Sequence, residues 1–231
     1  MLFYSYYFGI FSILPVILLG LIVQVRLQST YSKFSAVRNS RGITGGEMAE
    51  LILRNAGIRD VSVVCIGGQL SDHFDPVKKV VRLSEQVYYG SSIASIGVAA
   101  HECGHAIQYQ EEYVPIRIRS AIIGVTNFSS KLLYILMFAS IFFYSQSFSA
   151  VVFNVAIICY TILFIFQLVT LPVEFNASAR AVKQIEASGF GEEDVRGVKK
   201  VLSAAAMTYV ASAITVLWQL LLLISRAKNR K

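Results

Sequence analysis

The sequence predicts a mainly α-helical protein embedded in a membrane, with about four transmembrane helices and a small α+β domain. Three observations carry this expectation. Of 231 residues, 55% are hydrophobic and only 15% charged, where a soluble domain carries nearer to about a quarter charged. The apolar residues are gathered into four long runs. The net charge of +7 is concentrated at the ends of those runs, at Arg26, Lys33, Arg38 and Arg41 after the first and at Arg226, Lys228, Arg230 and Lys231 after the last, as in the flanks of membrane spans. No nucleic-acid-binding motif accompanies this charge, so the bilayer, and no nucleic acid, is the expected partner.

The first run, Leu2 to Val25, is long enough to cross a hydrocarbon core of roughly 30 Å. It lacks a basic start and a small-residue cleavage site, so residues 1–25 read as a retained anchor. Ile122–Tyr144 and Ala150–Leu171 flank the uncharged stretch Ser145–Ser149 and form an expected helical hairpin over residues 120–171. Lys131 interrupts the first of the pair, and either reaches to the interface or marks an interfacial start. Ala205–Ile224 is the last span, with the basic tail completing residues 205–231.

Two polar regions remain, 26–119 and 172–204. Two crossings separate them, so both lie on one side of the membrane and can build one site. In the first, Thr44-Gly45-Gly46-Glu47 has the form of a capping box opening a helix to about Asn55. The β-branched stretches Val61–Ile66 and Val80–Leu83 read as strands. Ser91 or Ser92 caps a helix running to about Tyr113, before Pro115. In the second, Pro172 suits the first turn of a new helix, and Glu192-Glu193-Asp194, ahead of Arg196, Lys199 and Lys200, suits another helix start.

The chemistry is concentrated in His101-Glu102-Cys103-Gly104-His105. Residues four apart share a helical face, so His101 and His105 can direct ring nitrogens at one metal ion, and Glu102 beside them is placed as a general base. The motif lies in an apolar helix (Ile96 to Ala100 before it, Ala106 and Ile107 after), where unpaired polar groups are costly and metal coordination satisfies them. Zinc is the expected ion. A catalytic zinc takes a third protein ligand and keeps one position open. His73, in Asp72-His73-Phe74-Asp75-Pro76, and Glu174, in Leu171-Pro172-Val173-Glu174-Phe175, both satisfy the parity of the crossings.

Thr44–Glu47, Gly67–Pro76, Val81–Ser84, Ala99–Gln108 and Leu171–Phe175 together resemble the YugP-like family of membrane zinc metallopeptidases over nearly the whole chain. The layout is also similar to the HtpX and CAAX prenyl proteases, in which H-E-x-x-H, two membrane helices and a Glu-x-x-Ala-Asp motif follow in order. The resemblance implies that Glu174 is the third ligand, that the α+β domain is zincin-like with a gluzincin-type site, and that the protein is a metalloendopeptidase acting on polypeptides, membrane proteins among them. One position departs from the HtpX and CAAX prenyl pattern: Ser178 stands where those proteases carry an Asp that supports the site.

His73 reads first as part of a turn rich in Asp and Pro, and second as a residue at the rim of the cleft. The strand at Val80–Ser84 reads either as an ordinary packed strand or as an edge strand that pairs with extended substrate. Tyr88, Tyr89, Tyr109 and Tyr113 flank the motif without an assigned role, and Arg180 reads first as a solvated helix charge and second as a partner for an acidic group near the site or a substrate carboxylate. Cys65, Cys103 and Cys159, without C-x-x-C spacing, predict no disulfide framework. The basic residues after the first run and the uncharged hairpin turn place the catalytic side in the cytoplasm, although four crossings then leave the basic tail outside. The competing class is a non-catalytic zinc-binding membrane scaffold or transporter subunit, and it requires a fourth protein ligand, Cys103 or His73, closing the site.

Overall fold

The computed structural model describes residues 13–68, 71–142 and 146–228. The start of the first apolar run, Ser145 in the hairpin turn, and Arg230 and Lys231 of the tail lie outside the described residues. Among the described residues the order is α1 (Leu14–Ser35), α2 (Gly45–Asn55), β1 (Ser62–Ile66), β2 (His73–Asp75), β3 (Val80–Ser84), α3 (Glu85–Tyr88), α4 (Ile93–Gln110), α5 (Val114–Phe142), α6 (Gln146–Ala187) and α7 (Glu192–Lys228). The stretches Leu14–Ser35, Val114–Ala139, Ala150–Ala187 and Glu192–Ala227 are long and apolar enough to cross a membrane. This is a membrane protein, mainly helical, with one small sheet.

By internal contacts the chain forms two compact units. One comprises 1–22, 118–171 and 209–231; the other comprises 23–117 and 172–208 and contains the sheet and the H-E-x-x-H helix. In the second unit the local signals act where expected. Thr44 caps α2: its side chain accepts from the Glu47 backbone N–H, and the Glu47 carboxylate accepts from the Thr44 N–H at 2.7 Å. Met48, Ala49, Ile52 and Leu53 give α2 one buried face at helical spacing, and Gly57 takes the left-handed conformation just past its end. Ser92 caps α4, accepting from the Ser95 N–H. These helices, β3, and parts of α6 and α7 share one apolar core around Val81, Leu83, Ile96, Ala181, Ile185 and Val198.

The sheet order is β1-β3-β2, with β1 parallel and β2 antiparallel to β3. This decides between the two readings of Val80–Ser84 in favour of the packed strand. The strand at Val80–Ser84 lies between the other two, flanked on both sides over Val80–Arg82 and by β1 alone at Leu83 and Ser84, and β1 and β2 are the edge strands. His73 is likewise no turn residue but opens β2, paired with Arg82. The turn comes after it: Asp75 accepts from the N–H groups of Val77 and Lys78 at 3.0 Å, and Lys79 has a φ of 51°. Arg82 bonds Asp75 at 2.6 Å across the pair. That contact, with the two turn N–H groups, lowers the Asp75 pKa to about 2.

The long helices differ from the expected boundaries. α1 continues past Val25 to Ser35, carrying Arg26 and Lys33 on helix rather than loop. α6 is one helix of 42 residues with Pro172 inside it. Pro172 therefore does not open a new helix; the apolar run and the segment bearing Glu174 are continuous. A proline removes one backbone bond of a helix interior, and here the flanking turns stay helical. α7 likewise runs unbroken from its acidic start to Lys228. Asp194 in that start does more than complement the helix dipole: it accepts from the Ser40 backbone N–H and hydroxyl, fixing the segment after α1 to α7. The three cysteines are free.

Candidate metal centre

α4 and α6 approach each other so closely that a side chain at Gly104 has no room. A Cβ there would lie 2.5 Å from the Ala177 carbonyl oxygen, and backbone cannot yield as a flexible side chain does. Gly104, the fourth residue of the H-E-x-x-H motif, thus lets the histidine helix touch the helix that bears Glu174. Gly104→Ala is expected to cost about 1–3 kcal/mol of stability, the usual range for an overpacked core, read as a lower denaturation midpoint. Gly124→Ala, at a helical position with nothing within 4 Å, is the control and should leave the midpoint unchanged or raised. Equal midpoints for both variants would contradict the close approach.

Across this contact three side chains converge. His101 Nε2 is 3.3 Å and His105 Nε2 3.6 Å from Glu174 Oε2. One potential ligand atom from each residue lies within 4.8 Å of the others. The two rings stand nearly perpendicular, at 83°, with centroids 4.8 Å apart. Glu174 is almost fully buried, at 2% exposure, and His105 and Glu102 are buried at its side. His73 is not in this group: its Nδ1 faces the Ser71 carbonyl at 2.7 Å and its Nε2 faces Arg82 at 3.3 Å. Cys103 is directed into the core, towards the Ala49 carbonyl, and burial pushes its thiol pKa up.

The outer nitrogens of both histidines are engaged. Gln108 donates through its amide nitrogen to the Val173 carbonyl at 2.8 Å and to Asn176 Oδ1 at 2.9 Å. Its oxygen is left to face His105 Nδ1 at 3.0 Å, so that ring nitrogen carries the proton and Nε2 presents its lone pair. Ser178 Oγ lies 3.2 Å from His101 Nδ1, so the serine occupies the orienting position for the other ring. A ring nitrogen from each histidine and a carboxylate oxygen then face one another, an arrangement that a cation satisfies. Burial disfavours the His105 imidazolium, but Glu174, Glu102 and Gln108 favour it more, so its pKa stands above the ordinary value.

The network extends outwards through Asn176, Arg180 and Glu111, of which sequence reasoning singled out Arg180 alone. Asn176 Oδ1 also accepts from Arg180 Nε at 2.7 Å, and Arg180 pairs with Glu111 at 2.7 Å, holding that carboxyl below its usual range. Arg180 is therefore no solvated helix charge. Gln108 had a signal, since it lies three residues after His105 on the same helix face; Asn176 had none without the fold.

Glu102, whose charge also reaches His105, contacts β2 from α4. Its Oε2 accepts from the Phe74 backbone N–H at 3.1 Å. That N–H faces outward from the sheet edge, away from β3, and the carboxylate satisfies it. Phe74 is held in turn by an edge contact with Tyr109, ring centroids 6.0 Å apart. Asp72 secures the approach to β2 by accepting from the Ser84 N–H at 2.7 Å. The Asp72–Asp75 stretch thus supports the Glu102 carboxylate from outside while α4 carries it from inside.

Comparison with known proteins places this geometry in a family. Residues 9–228 match the family model described as "Putative neutral zinc metallopeptidase". The "Putative membrane protease YugP" of Bacillus subtilis (strain 168) is 45% identical over 215 residues, covering 92% of this chain and 94% of that protein. No solved structure matches the chain.

Proposed function

The chain belongs to this family of neutral zinc metallopeptidases, and from that premise we propose that it is a membrane-embedded zinc endopeptidase of gluzincin type. His101, His105 and Glu174 are the protein ligands and Glu102 is the general base. The observation that carries this reading is the convergence of those three groups with both histidine Nδ1 atoms turned outwards to Gln108 and Ser178. Histidine nitrogen and carboxylate oxygen are the donor set of catalytic zinc in several peptidases.

Zinc bound there supplies Lewis-acid polarisation of a peptide carbonyl and acidifies the attacking water. The residues of this chain do the rest. Glu102 takes the proton of the attacking water on its carboxylate and returns it to the leaving amine nitrogen. Phe74 N–H holds that carboxylate beside the ligand pair. Gln108 and Ser178 fix the ring orientations, and the burial of Glu174 keeps bulk water from its carboxylate.

A closed structural site would need a fourth protein ligand. Among the described residues, no further His, Cys, Asp or Glu joins the three, and the two candidates for a closing ligand, His73 and Cys103, are bound elsewhere. This favours an open position and hence catalysis. The test is metal removal from the purified full chain in detergent, using an unfolded polypeptide as substrate. Chelation should abolish cleavage while the helical circular-dichroism signal persists, and one equivalent of zinc should restore it. Cleavage that survives complete zinc removal, or protein with one bound zinc that cleaves no unfolded polypeptide, would refute the proposal.

A further inference from the structure

We propose that the groove between α1 and α7 binds the phosphate-bearing headgroup of an anionic phospholipid. The groove, ≈ 550 Å³, is lined on the α1 side by Arg26, Ser29, Thr30, Lys33 and Phe34, and on the α7 side by Lys199, Lys200, Ser203, Ala204 and Met207. All of these residues belong to the unit that contains the H-E-x-x-H helix, but none belongs to the metal centre. No carboxylate lines the groove. Four cations and three hydroxyls form a donor-rich wall, and Phe34, Ala204 and Met207 an apolar one.

The pattern is written into both helices. Arg26, Ser29 or Thr30, and Lys33 recur at the spacing of one helical face, as do Lys199 or Lys200, Ser203 or Ala204, and Met207. The two faces are held together: at Gly197 of α7 a Cβ would lie 3.0 Å from the Phe34 ring and 2.7 Å from Ile93, so the Phe34 ring of α1 packs directly on the α7 backbone. Lys199 bonds Glu186 at the surface at 2.9 Å, so much of its charge is already answered. Arg26, Lys33 and Lys200 are exposed and supply the remaining positive charge.

Position selects the ligand. In α1 the residues from Leu14 to Val25 are predominantly apolar, and in α7 so are those from Tyr209 to Ile224. The groove lies where polar and apolar lengths of both helices meet, which is headgroup depth in a bilayer. A phosphodiester meets the cations and hydroxyls there, and the first carbons of its glycerol and acyl chains meet Phe34, Ala204 and Met207. Basic pockets between spans recognise anionic headgroups in this way.

The experiment uses the full chain in neutral detergent, with phosphatidylglycerol or phosphatidylcholine added and bound lipid counted by native mass spectrometry. Wild type should bind phosphatidylglycerol at least about tenfold more tightly, and Arg26→Gln, Lys33→Gln and Lys200→Gln should each cost about fivefold. Arg226→Gln, outside the groove, should cost nothing. The thermal midpoint in phosphatidylcholine reports whether each variant is folded. Equal binding of the two lipids by wild type, or an unchanged preference in the folded variants, overturns the proposal. Displacement of the lipid by millimolar inorganic phosphate alone would also overturn it, and assign the groove to a soluble phosphate.

Discussion

Glu102→Gln is expected to lower cleavage at least about a hundredfold while leaving one zinc per chain and an unchanged thermal midpoint. The substitution keeps the shape of the side chain, and its amide oxygen can still accept the Phe74 N–H that now meets Glu102 at 3.1 Å. It leaves His101, His105 and Glu174 untouched. What it removes is a group able to take and return a proton, a role worth about 10²–10⁴ in rate. Elemental analysis, thermal melting and a fluorogenic polypeptide assay on the same preparation separate the possibilities. Activity within tenfold of wild type would rule out Glu102 as the base. Loss of zinc alongside activity would show instead that the carboxylate holds the site together.

Glu174→Ala has its largest effect on the metal. Removing an orienting partner of a ligand typically costs 10–100-fold in affinity; removing a ligand should exceed that, by more than about a hundredfold, so dialysed protein loses its zinc. His73→Ala, by contrast, should retain it, since His73 lies between Ser71 and Arg82 rather than in the cluster. Zinc content of the two variants, titrated against a chelator of known affinity, decides the ligand set. Zinc lost from the His73 variant and kept in the Glu174 variant would reverse the assignment.

Local signals were legible in the sequence wherever physics within a few residues decides the outcome. The spacing of His101 and His105, the capping box at Thr44 and the acidic start at Glu192 each translate directly into geometry. Parity of the apolar runs was enough to bring Glu174 into consideration. Features set by distant packing were not legible. Pro172 normally favours a helix start, yet α6 passes through it because the segments on both sides have their own reasons to be helical. The interior position of β3 depends on β2, a strand of three residues too short to announce itself. Asn176 and Arg180 acquire their roles only because α6 lies against α4, and Gly104 reveals its purpose only when Ala177 is seen across from it.

The partners of the two histidines have an electronic consequence. In many zinc sites a carboxylate accepts the outer imidazole proton and makes the ring a stronger donor. Here an amide and a hydroxyl, Gln108 and Ser178, take that place, and both are neutral. On the proposed ligand set the imidazoles push less electron density inwards than carboxylate-backed rings would. A cation held by them keeps more of its positive charge for the substrate carbonyl, at the cost of a looser grip, and the one anionic ligand, Glu174, sits buried where it provides most of the hold.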